Sequence, residues 1–316
     1  SNSSLPNYKK MIQYEPPSTE VLEKYYQELG ITVETLERDV ATLKSWMEKQ
    51  PHLPDNVDNE TLEKFLIHSK NSLERAKSKL DCYYTARATI PDMFHDRDPL
   101  DPSIKNIAEV AMYCTCPKTT PEGDRVTIIK TFDQDLKRFD ILACIKIGLM
   151  MLDAHLAEDL CRKHLVVFDF EGSSLGHAAA FTIPVIKRAL QLFLDVLPQR
   201  FAGFHVVNAP SYFESIVNIC KGLLNSKLSQ RVFVHGKDMT TLHQYISKDV
   251  LPPEYGGTYS ASIEELRVMA YQSLVERRDW FLQQNKIHSD EDKRPNRKLN
   301  GIDQQLEGSF RKIAID

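Results

Sequence analysis

The feature that most constrains this chain is a regular alternation of two patterns between Arg125 and Val234. Short runs rich in valine, isoleucine and phenylalanine alternate with longer stretches whose apolar residues recur at helical spacing. Such alternation predicts βαβ units and therefore an α/β fold with a mostly parallel sheet and right-handed crossovers. The predicted strands are residues 125–130, 164–170, 203–207 and 231–234, and the predicted helices are residues 141–160, 182–197 and 211–228.

The flanking residues predict a different organisation. Thr32 suits an N-cap, and three helical patterns follow it before Pro91. Residues 99–123 contain four prolines and predict a linker with one short helix. A further helix is predicted near the C-terminus, followed by a run of mixed charge. We therefore expect a helical domain at 1–98, an α/β domain at 99–260, and a C-terminal segment at 261–316 that consists of a helix over 262–283 and a charged tail.

Charge and cysteine spacing argue against several classes of protein. The formal net charge is -4, which gives no basic excess for a nucleic-acid partner. The six cysteines form no CxxC pair, so we expect no metal site and interpret Cys114 and Cys116 as free thiols of a reducing compartment. The sequence contains no glycine-rich fingerprint for binding the phosphates of a cofactor, so we expect no cofactor. No apolar stretch reaches the ~18–20 residues of a membrane span and no secretory signal opens the sequence, so we expect a cytoplasmic protein.

One motif suggests catalysis. The run GSSLG at residues 172–176 matches the G-x-S-x-G nucleophile elbow and follows a predicted strand. A serine hydrolase would use Ser174 as its nucleophile, with Asp238 and His243 following in the required chain order. However, only one good strand precedes the serine in this domain, and no glycine-rich oxyanion loop lies before it. We expect no enzyme and keep the serine hydrolase as an alternative.

Two carboxylates near this motif allow a second catalytic interpretation. Asp169 and Glu171 alternate at the end of a predicted strand, so their side chains project to the same side. Such a pair can work as acid and base. A structural role, in which they cap backbone groups or meet a basic residue, is favoured.

Two of the predicted helices carry continuous apolar stripes. In helix 182–197 the stripe runs from Ile183 to Leu197, and in helix 211–228 it runs from Phe213 to Leu228. Ser211 and Glu214 have the spacing of a capping box at the start of the second helix. An apolar stripe either packs on a core or closes over an apolar cavity, and periodicity alone favours the core.

Several motifs, in order, resemble the CRAL-TRIO lipid-binding family. FDFEG at 168–172 is similar to its D-x-E-G turn, NAP at 208–210 to its N-x-P signature, and KLSQRVFVHG at 227–236 and LPPEYGG at 251–257 to its later motifs. In the last motif, two prolines stiffen the chain and two glycines permit unusual dihedral angles. Further upstream, WMEKQPHL at 46–53 and LERAK at 73–77, preceded by Phe65-Leu66, resemble the family's helical N-terminal domain.

The resemblance covers roughly residues 30–285 and is strongest to the α-tocopherol transfer and retinaldehyde-binding group, including insect members. It implies a hydrophobic cavity on one face of the sheet, closed by an amphipathic gate helix at 211–228. It also implies a soluble carrier, without a cofactor, for a retinoid, carotenoid, tocopherol, terpenoid or similar lipid that is exchanged at membranes. Burial of such a ligand is favourable by about 25 cal/mol per Å² of apolar surface. The D-x-E-G turn would account for the G-x-S-x-G match without catalysis.

The positions that match the family, together with the face of the element on which each side chain lies, imply which residues bind the ligand. Ile145 and Leu149 stand where the family's tocopherol carrier has hydroxyl side chains, which disfavours tocopherol and suits a polyene or a terpenoid. The expected cavity residues are Leu142, Ile145, Leu149, Phe168, Phe181, Leu192, Phe193, Leu197, Phe201, Phe204, Phe213, Ile216 and Cys220.

The resemblance also implies a site for phosphoinositide headgroups beside the gate. Arg200, Lys227 and Arg231 match three of its basic positions, whereas Ala202 and Ser69 stand where a relative has arginine. Fewer basic groups predict weaker multivalent contact with phosphate. A single lysine or arginine here is otherwise a solvated surface charge. A phosphoinositide-sensing trafficking adaptor, which needs no cavity ligand, is therefore the second alternative.

Overall fold

A five-stranded sheet organises the second half of the protein in this computed structural model, which describes residues 14–295. The strands lie in the order β1-β2-β3-β4-β5; β1 is antiparallel to β2, and the other neighbours are parallel. The mostly parallel sheet expected from the sequence is therefore confirmed. The strands are β1 (Ala111–Thr119), β2 (Arg125–Thr131), β3 (His164–Asp169), β4 (Phe201–Val207) and β5 (Val232–Val234).

Successive side chains of a strand point to opposite faces, so the two faces of this sheet have different neighbours. Val126 and Val167 belong to the face that packs in one apolar cluster with Leu266 and Ala270. Phe168, paired with Ile129 across β2 and β3, belongs to the other face. The candidate site lies on that second face.

Helices cover both faces and form the N-terminal region. The N-cap predicted at Thr32 is confirmed, because its side chain accepts a hydrogen bond from the backbone N–H of Thr35. One helix, capped by Ser18, precedes the predicted ones. The helices of the N-terminal region are α1 (Thr19–Glu28), α2 (Val33–Glu48), α3 (Asn59–His68), α4 (Leu73–Thr89) and α5 (Pro91–Phe94).

The remaining helices follow or connect the strands. A π-helical segment, Gln191–Val196, extends α9 and packs on α4. The helices are α6 (Pro102–Val110), α7 (Ile141–Glu158), α8 (Leu175–Ala180), α9 (Ile183–Leu190), α10 (Glu214–Leu223), α11 (Ser226–Ser229), α12 (Ile263–Glu276) and α13 (Arg278–Gln284). The domain boundaries at 98 and 260 stay a prediction, and the tail beyond residue 295 lies outside the described residues.

The expectation that residues 99–123 form a linker with one short helix was wrong. After α6, this segment contributes the strand β1, whose first seven residues are buried. Pro117 is compatible with a strand here because β1 is at the edge of the sheet and its register shifts between Thr115 and Thr119. Pro117 interrupts an otherwise recognisable strand pattern, and for this reason β1 was not predicted from the sequence.

The gate helix was also predicted too long. Residues 211–213 form a 3-10 turn that follows Pro210, and the capping box of Ser211 and Glu214 is not formed. The α-helix ends at Leu223, because Leu224 is extended and the side chain of Asn225 caps α11 by accepting from the N–H of Leu228. The predicted helices 182–197 and 262–283 are likewise divided, by the π-helical segment and at Arg277.

Candidate functional site: an apolar cavity and an adjoining basic pocket

An apolar cavity lies between the second face of the sheet, α7, α9 and the π-helical segment. Its volume is about 210 Å³. A single water needs roughly 10–15 Å³ in this measure, so the space is far larger than a packing defect. The sheet contributes alternate residues, since only every second side chain of a strand faces the cavity. The lining side chains of β2, β3 and β4 include Thr127, Ile129, Val166, Phe168 and Phe204.

Aromatic rings form much of the cavity wall. Phe168 and Phe170 stack with 6.4 Å between ring centroids, and Phe201 and Phe204 stack at 5.2 Å. Phe193, from the π-helical segment, lies 6.3 Å from the ring of Tyr113. Rings of this size supply large apolar contact areas to a bound molecule. The wall therefore suits a flat or elongated apolar ligand.

The structure places seven of the expected cavity residues in the lining and six outside it. Ile145, Phe168, Phe181, Phe193, Phe201, Phe204 and Cys220 line the cavity. Leu149, Leu192 and Leu197 are instead buried against the helices of the N-terminal region. Phe213 and Ile216 pack in a small cluster beneath the gate, and Leu142 is 38% exposed at the start of α7. Whether the lining residues bind a ligand stays a prediction.

Other lining residues were missed by the sequence reasoning. Ala111 and Tyr113 belong to β1, which was not predicted as a strand. Val185 and Ala189 lie four residues apart on α9, so helical periodicity would have paired them. Thr127 and Ile129 would have followed from the alternation of β2 once the cavity face was known.

The helix α10 and the turn before it, which the resemblance predicts to be the gate, lie against the cavity. The ring of Phe213 stacks on Phe170 with 4.0 Å between centroids. The hydroxyl of Tyr212 donates a 2.7 Å hydrogen bond to the carbonyl oxygen of Ser173. Cys220, further along the helix, reaches the lining. The gate is therefore attached to the loop that follows β3.

A basic pocket of about 230 Å³ adjoins the cavity. It brings together Arg200, Lys227 and Arg231, as the sequence reasoning expected. Leu194 and Phe201 lie in the walls of both the pocket and the cavity. Three lysines that were not singled out from the sequence also line the pocket: Lys70, Lys79 and Lys163.

Contacts within the basic pocket fix some of these groups. Arg200 donates a 2.9 Å hydrogen bond to the hydroxyl of Tyr25, and Arg231 donates a 3.0 Å hydrogen bond to the carbonyl of Phe201. Lys79 donates to carbonyl groups of the π-helical segment and the residue after it. Burial, together with the positive charges of neighbouring arginines, lowers the pKa of Lys163. Such a concentration of like charge favours binding of an anion.

Comparison with known proteins decides the family. The sequence profile of the CRAL/TRIO domain matches residues 111–257. Residues 111–257 of this chain are a CRAL-TRIO domain. A second profile, described as the Pinta-like UBA domain, matches residues 32–104, upstream of the CRAL/TRIO domain. The two matches together cover the helices α2 to α5 and the sheet.

The known proteins similar to this CRAL-TRIO protein include two sequence relatives and one solved structure. An alpha-tocopherol transfer protein-like protein of Homo sapiens is 29% identical over 253 residues, which cover 77% of this chain and 73% of the relative. Clavesin-2 of Rattus norvegicus is 25% identical over 243 residues, covering 76% and 74% of the two chains. The crystal structure of Sfh5 aligns with a TM-score of 0.47 at 13% identity, over 82% of this chain and 99% of that one.

Three CRAL-TRIO motifs meet at one buried carboxylate. Asp169, in the D-x-E-G turn, accepts hydrogen bonds from Tyr255 Oη at 2.7 Å and from Asn208 Nδ2 at 2.9 Å. Lys130 Nζ bonds both Asp169, at 2.7 Å, and Glu171, at 2.8 Å. Although burial opposes it, these bonds raise the pKa of Lys130. Asp169 and Glu171 therefore both meet a basic residue, which is the arrangement that the structural interpretation expected.

The turn LPPEYGG holds Tyr255 in place for this contact. Gly256 is left-handed, with φ 68°, and a Cβ at Gly257 would lie 1.8 Å from the carbonyl oxygen of Leu251. Both glycines are thus required by the backbone path.

The structure does not assemble the serine triad considered above. Ser174 has φ -104° and ψ 174°, ordinary extended values rather than those of a strained elbow. Its Oγ lies 2.8 Å from Nδ1 of His177. His243 instead contacts the carbonyl of Tyr255 through Nε2, and Asp238 accepts from Thr240. The residues predicted to form one triad therefore have separate partners.

Two further properties bear on chemistry at this site. Among residues 14–295, no cluster of histidine, cysteine and acidic side chains could hold a metal ion. Burial raises the pKa of Cys116 to about 12, and that of Cys114 well above its usual value, so both remain protonated thiols.

None of the helices within residues 14–295 is long and apolar enough to cross a membrane.

Proposed function

We propose that this CRAL-TRIO protein is a carrier that binds one small hydrophobic molecule and exchanges it at a membrane surface. The observation that carries the proposal is the aromatic cavity of about 210 Å³ beneath the gate α10. Closed, mostly apolar cavities with few polar groups are the usual form of small-molecule sites. The relative named for tocopherol transfer supports the same kind of function.

The ligand class proposed is a retinoid, carotenoid, tocopherol or terpenoid, without a resident cofactor. The apolar wall favours an isoprenoid skeleton, and Ile145 offers no hydroxyl to a polar ring at its position. No catalytic step is part of the proposal. Six free cysteines fit action in the reducing cytoplasm.

Exchange at membranes is proposed to be guided by phosphoinositide headgroups in the basic pocket. Arg200, Lys227 and Arg231 there stand beside the end of α10 and α11. A phosphorylated headgroup is multivalent and acidic, and each basic residue near an anionic membrane contributes about 1 kcal/mol. Binding at this pocket would bring the gate to the lipid surface.

Ligand carriage is tested on natively purified protein by mass spectrometry of organic extracts and by uptake of retinol and tocopherol from vesicles. The variant Ala189→Phe places a ring inside the cavity, so we expect it to fold and to lose ligand. Ala41→Phe, at an exposed position of α2, is the matched control and should keep ligand. No extracted lipid and no uptake by the natural chain would end the carrier proposal.

Phosphoinositide guidance is tested with liposomes that contain or lack phosphatidylinositol bisphosphate. The double variant Lys227→Ala/Arg231→Ala should reduce binding to the phosphoinositide liposomes by roughly tenfold or more. The control Lys44→Ala/Lys49→Ala removes equal charge from an exposed face of α2 and should bind normally. Equal losses in both double variants would point to general electrostatics instead.

The same proteins separate the two alternatives. A trafficking adaptor predicts that Ala189→Phe keeps full liposome-dependent activity, since it needs no cavity ligand. A hydrolase predicts that a fluorophosphonate probe labels the natural chain and not Ser174→Ala. The contact between Ser174 and His177 is the observation that makes this labelling worth measuring.

A further inference from the structure

Polar groups gather at one end of the otherwise apolar cavity. Thr131, Ser173 and His177 line it where β2 ends and where the D-x-E-G turn leads into α8. Ser173 Oγ lies 3.4 Å from Thr131 Oγ1. His177 is only 1% exposed, so its imidazole is withdrawn from outside solvent. A buried polar side chain normally has a partner for each polar atom.

The hydrogen bonds of His177 determine which ring nitrogen carries the proton. The backbone N–H of Ser174 lies 3.1 Å from Nδ1, and a backbone N–H can only donate. Nδ1 is therefore an acceptor, which leaves the hydrogen of the neutral ring on Nε2. Burial lowers the pKa of His177, which favours this neutral form.

Nε2 of His177 is therefore an unsatisfied hydrogen-bond donor in the described part of the chain. It is buried and has no hydrogen-bond partner among the described residues. His177 lines the cavity, and Nε2 is the ring nitrogen that the start of α8 does not engage. The ring of Phe139 meets the imidazole edge to face with 4.8 Å between centroids, and a contact of an N–H with a ring is weaker than a hydrogen bond to oxygen.

We infer that the cavity ligand carries an oxygen acceptor at one end and that Nε2–H of His177 donates a hydrogen bond to it. The inference rests on the proposed carrier function and narrows the ligand class. An alcohol, aldehyde, ketone or ester of an isoprenoid satisfies the donor, whereas the corresponding hydrocarbon leaves it unsatisfied. Thr131 and Ser173 are the neighbouring groups that can complete contact with a hydroxyl.

The position of this polar end also links ligand recognition to the gate. Ser173, whose carbonyl oxygen accepts the hydrogen bond from Tyr212, belongs to the same loop. An oxygen held at His177 therefore orders the loop to which the gate is attached. A hydrocarbon would fill the cavity without that effect.

The test compares matched ligands that differ by one oxygen. All-trans-retinol is compared with axerophthene, and farnesol with 2,6,10-trimethyldodeca-2,6,10-triene; in each hydrocarbon, hydrogen replaces the hydroxyl. Uptake from vesicles is measured by native mass spectrometry. The natural chain should take up each oxygenated ligand roughly tenfold better than its hydrocarbon partner, the ratio given by one buried hydrogen bond. His177→Phe should reduce both ratios to near one.

Two controls keep the result interpretable. His177→Gln retains a side-chain N–H donor and should retain at least part of the ratio. His288→Phe makes the same substitution at an exposed position outside the cavity and should retain it fully. In the natural chain, the ¹⁵N resonance of His177 Nε2 should move on binding retinol and stay unchanged on binding axerophthene, which is a readout that needs no variant.

The outcomes distinguish the inference about His177 from the carrier function on which it rests. Equal uptake of oxygenated and hydrocarbon ligands overturns the inference and leaves the carrier function standing. If the ratio survives in His177→Phe, the inference about His177 is also overturned. The next candidate donor is then His164, at the other end of the lining, whose Nδ1 likewise has no hydrogen-bond partner among the described residues. No uptake from either pair, together with no lipid in organic extracts, overturns both.

Discussion

The ring of Phe213 lies stacked on the ring of Phe170, with 4.0 Å between centroids and 27° between planes. This contact joins the turn before the gate to the loop after β3. Phe213 is fully buried, although it belongs to the element that is proposed to open when a ligand leaves. Burial of the ring therefore stabilises the closed gate.

The variant Phe213→Ala should destabilise the closed gate. Removal of a buried phenylalanine ring typically costs about 3–5 kcal/mol, from lost burial and the void left behind. We expect faster release of bound retinol to acceptor vesicles and a lower midpoint of urea unfolding. Phe213→Leu, which keeps most of the apolar contact, should lie between the two. Unchanged release from Phe213→Ala would contradict a role of this ring in closure.

The hydrogen bond from Tyr212 to Ser173 should help to hold the gate closed. Tyr212→Phe removes one hydroxyl from a 2.7 Å contact, worth about 1 kcal/mol. We expect ligand release to accelerate about fivefold, while the free energy of unfolding falls by about 1 kcal/mol at most. The measurement is stopped-flow transfer of retinol to vesicles. Tyr271→Phe, which removes a comparable hydroxyl contact to Pro99, is the control and should leave release unchanged.

The buried contact between Tyr255 and Asp169 should contribute to the stability of the whole sheet. Tyr255→Phe removes a donor from a fully buried carboxylate that is also held by Lys130. We expect a loss of roughly 1–3 kcal/mol in the free energy of unfolding. Urea titration followed by circular dichroism measures it. Tyr245→Phe, at a 45% exposed position, should change stability by much less.

Stability should fall on mild acidification because several histidines are buried, His155 and His164 among them. Burial lowers the pKa of His155 to about 4 and that of His164 to about 3, from an ordinary value of 6.5. Below pH 6.5 the unfolded chain binds protons that the folded chain does not, so stability decreases as pH falls from there toward 4. The decrease is about 1.4 kcal/mol per pH unit for each histidine.

Urea unfolding at about pH 7.5 and about pH 5.5 measures this effect. His155→Gln should flatten the pH dependence relative to the natural chain. Asp159 adds a loss only in stronger acid: burial opposes ionisation, but Arg125 lowers the pKa of this carboxyl to about 2 from 3.8. Equal pH slopes for His155→Gln and the natural chain would contradict the assignment to His155.

The parallel strands were predictable because their signals are local. The run HLVVFDF was expected as a strand at 164–170, and β3 spans His164–Asp169. A strand buried on both faces needs a continuous apolar run, and such a run is visible without neighbours. The edge strand β1 was missed because a proline near its end interrupts the same signal, and an edge tolerates what an inner strand does not.

The division of apolar residues between core and cavity was not predictable from periodicity. Ile145 and Leu149 lie four residues apart on α7, yet only Ile145 reaches the cavity, while Leu149 meets the N-terminal helices. Helical spacing places both on one stripe. What each side chain touches depends on elements that are distant in sequence.

The sequence by itself determined the βαβ order, the helical N-terminal region and the motifs of a CRAL-TRIO protein, because strand and helix periods and turn chemistry are properties of neighbouring residues. Only the tertiary structure decided that Asp169 is the meeting point of three motifs and that Lys70, Lys79 and Lys163 join the basic pocket. It also left the Nε2 donor of His177 without a partner in an apolar wall. These are relationships between groups that packing brings together, and no local sequence pattern predicts them.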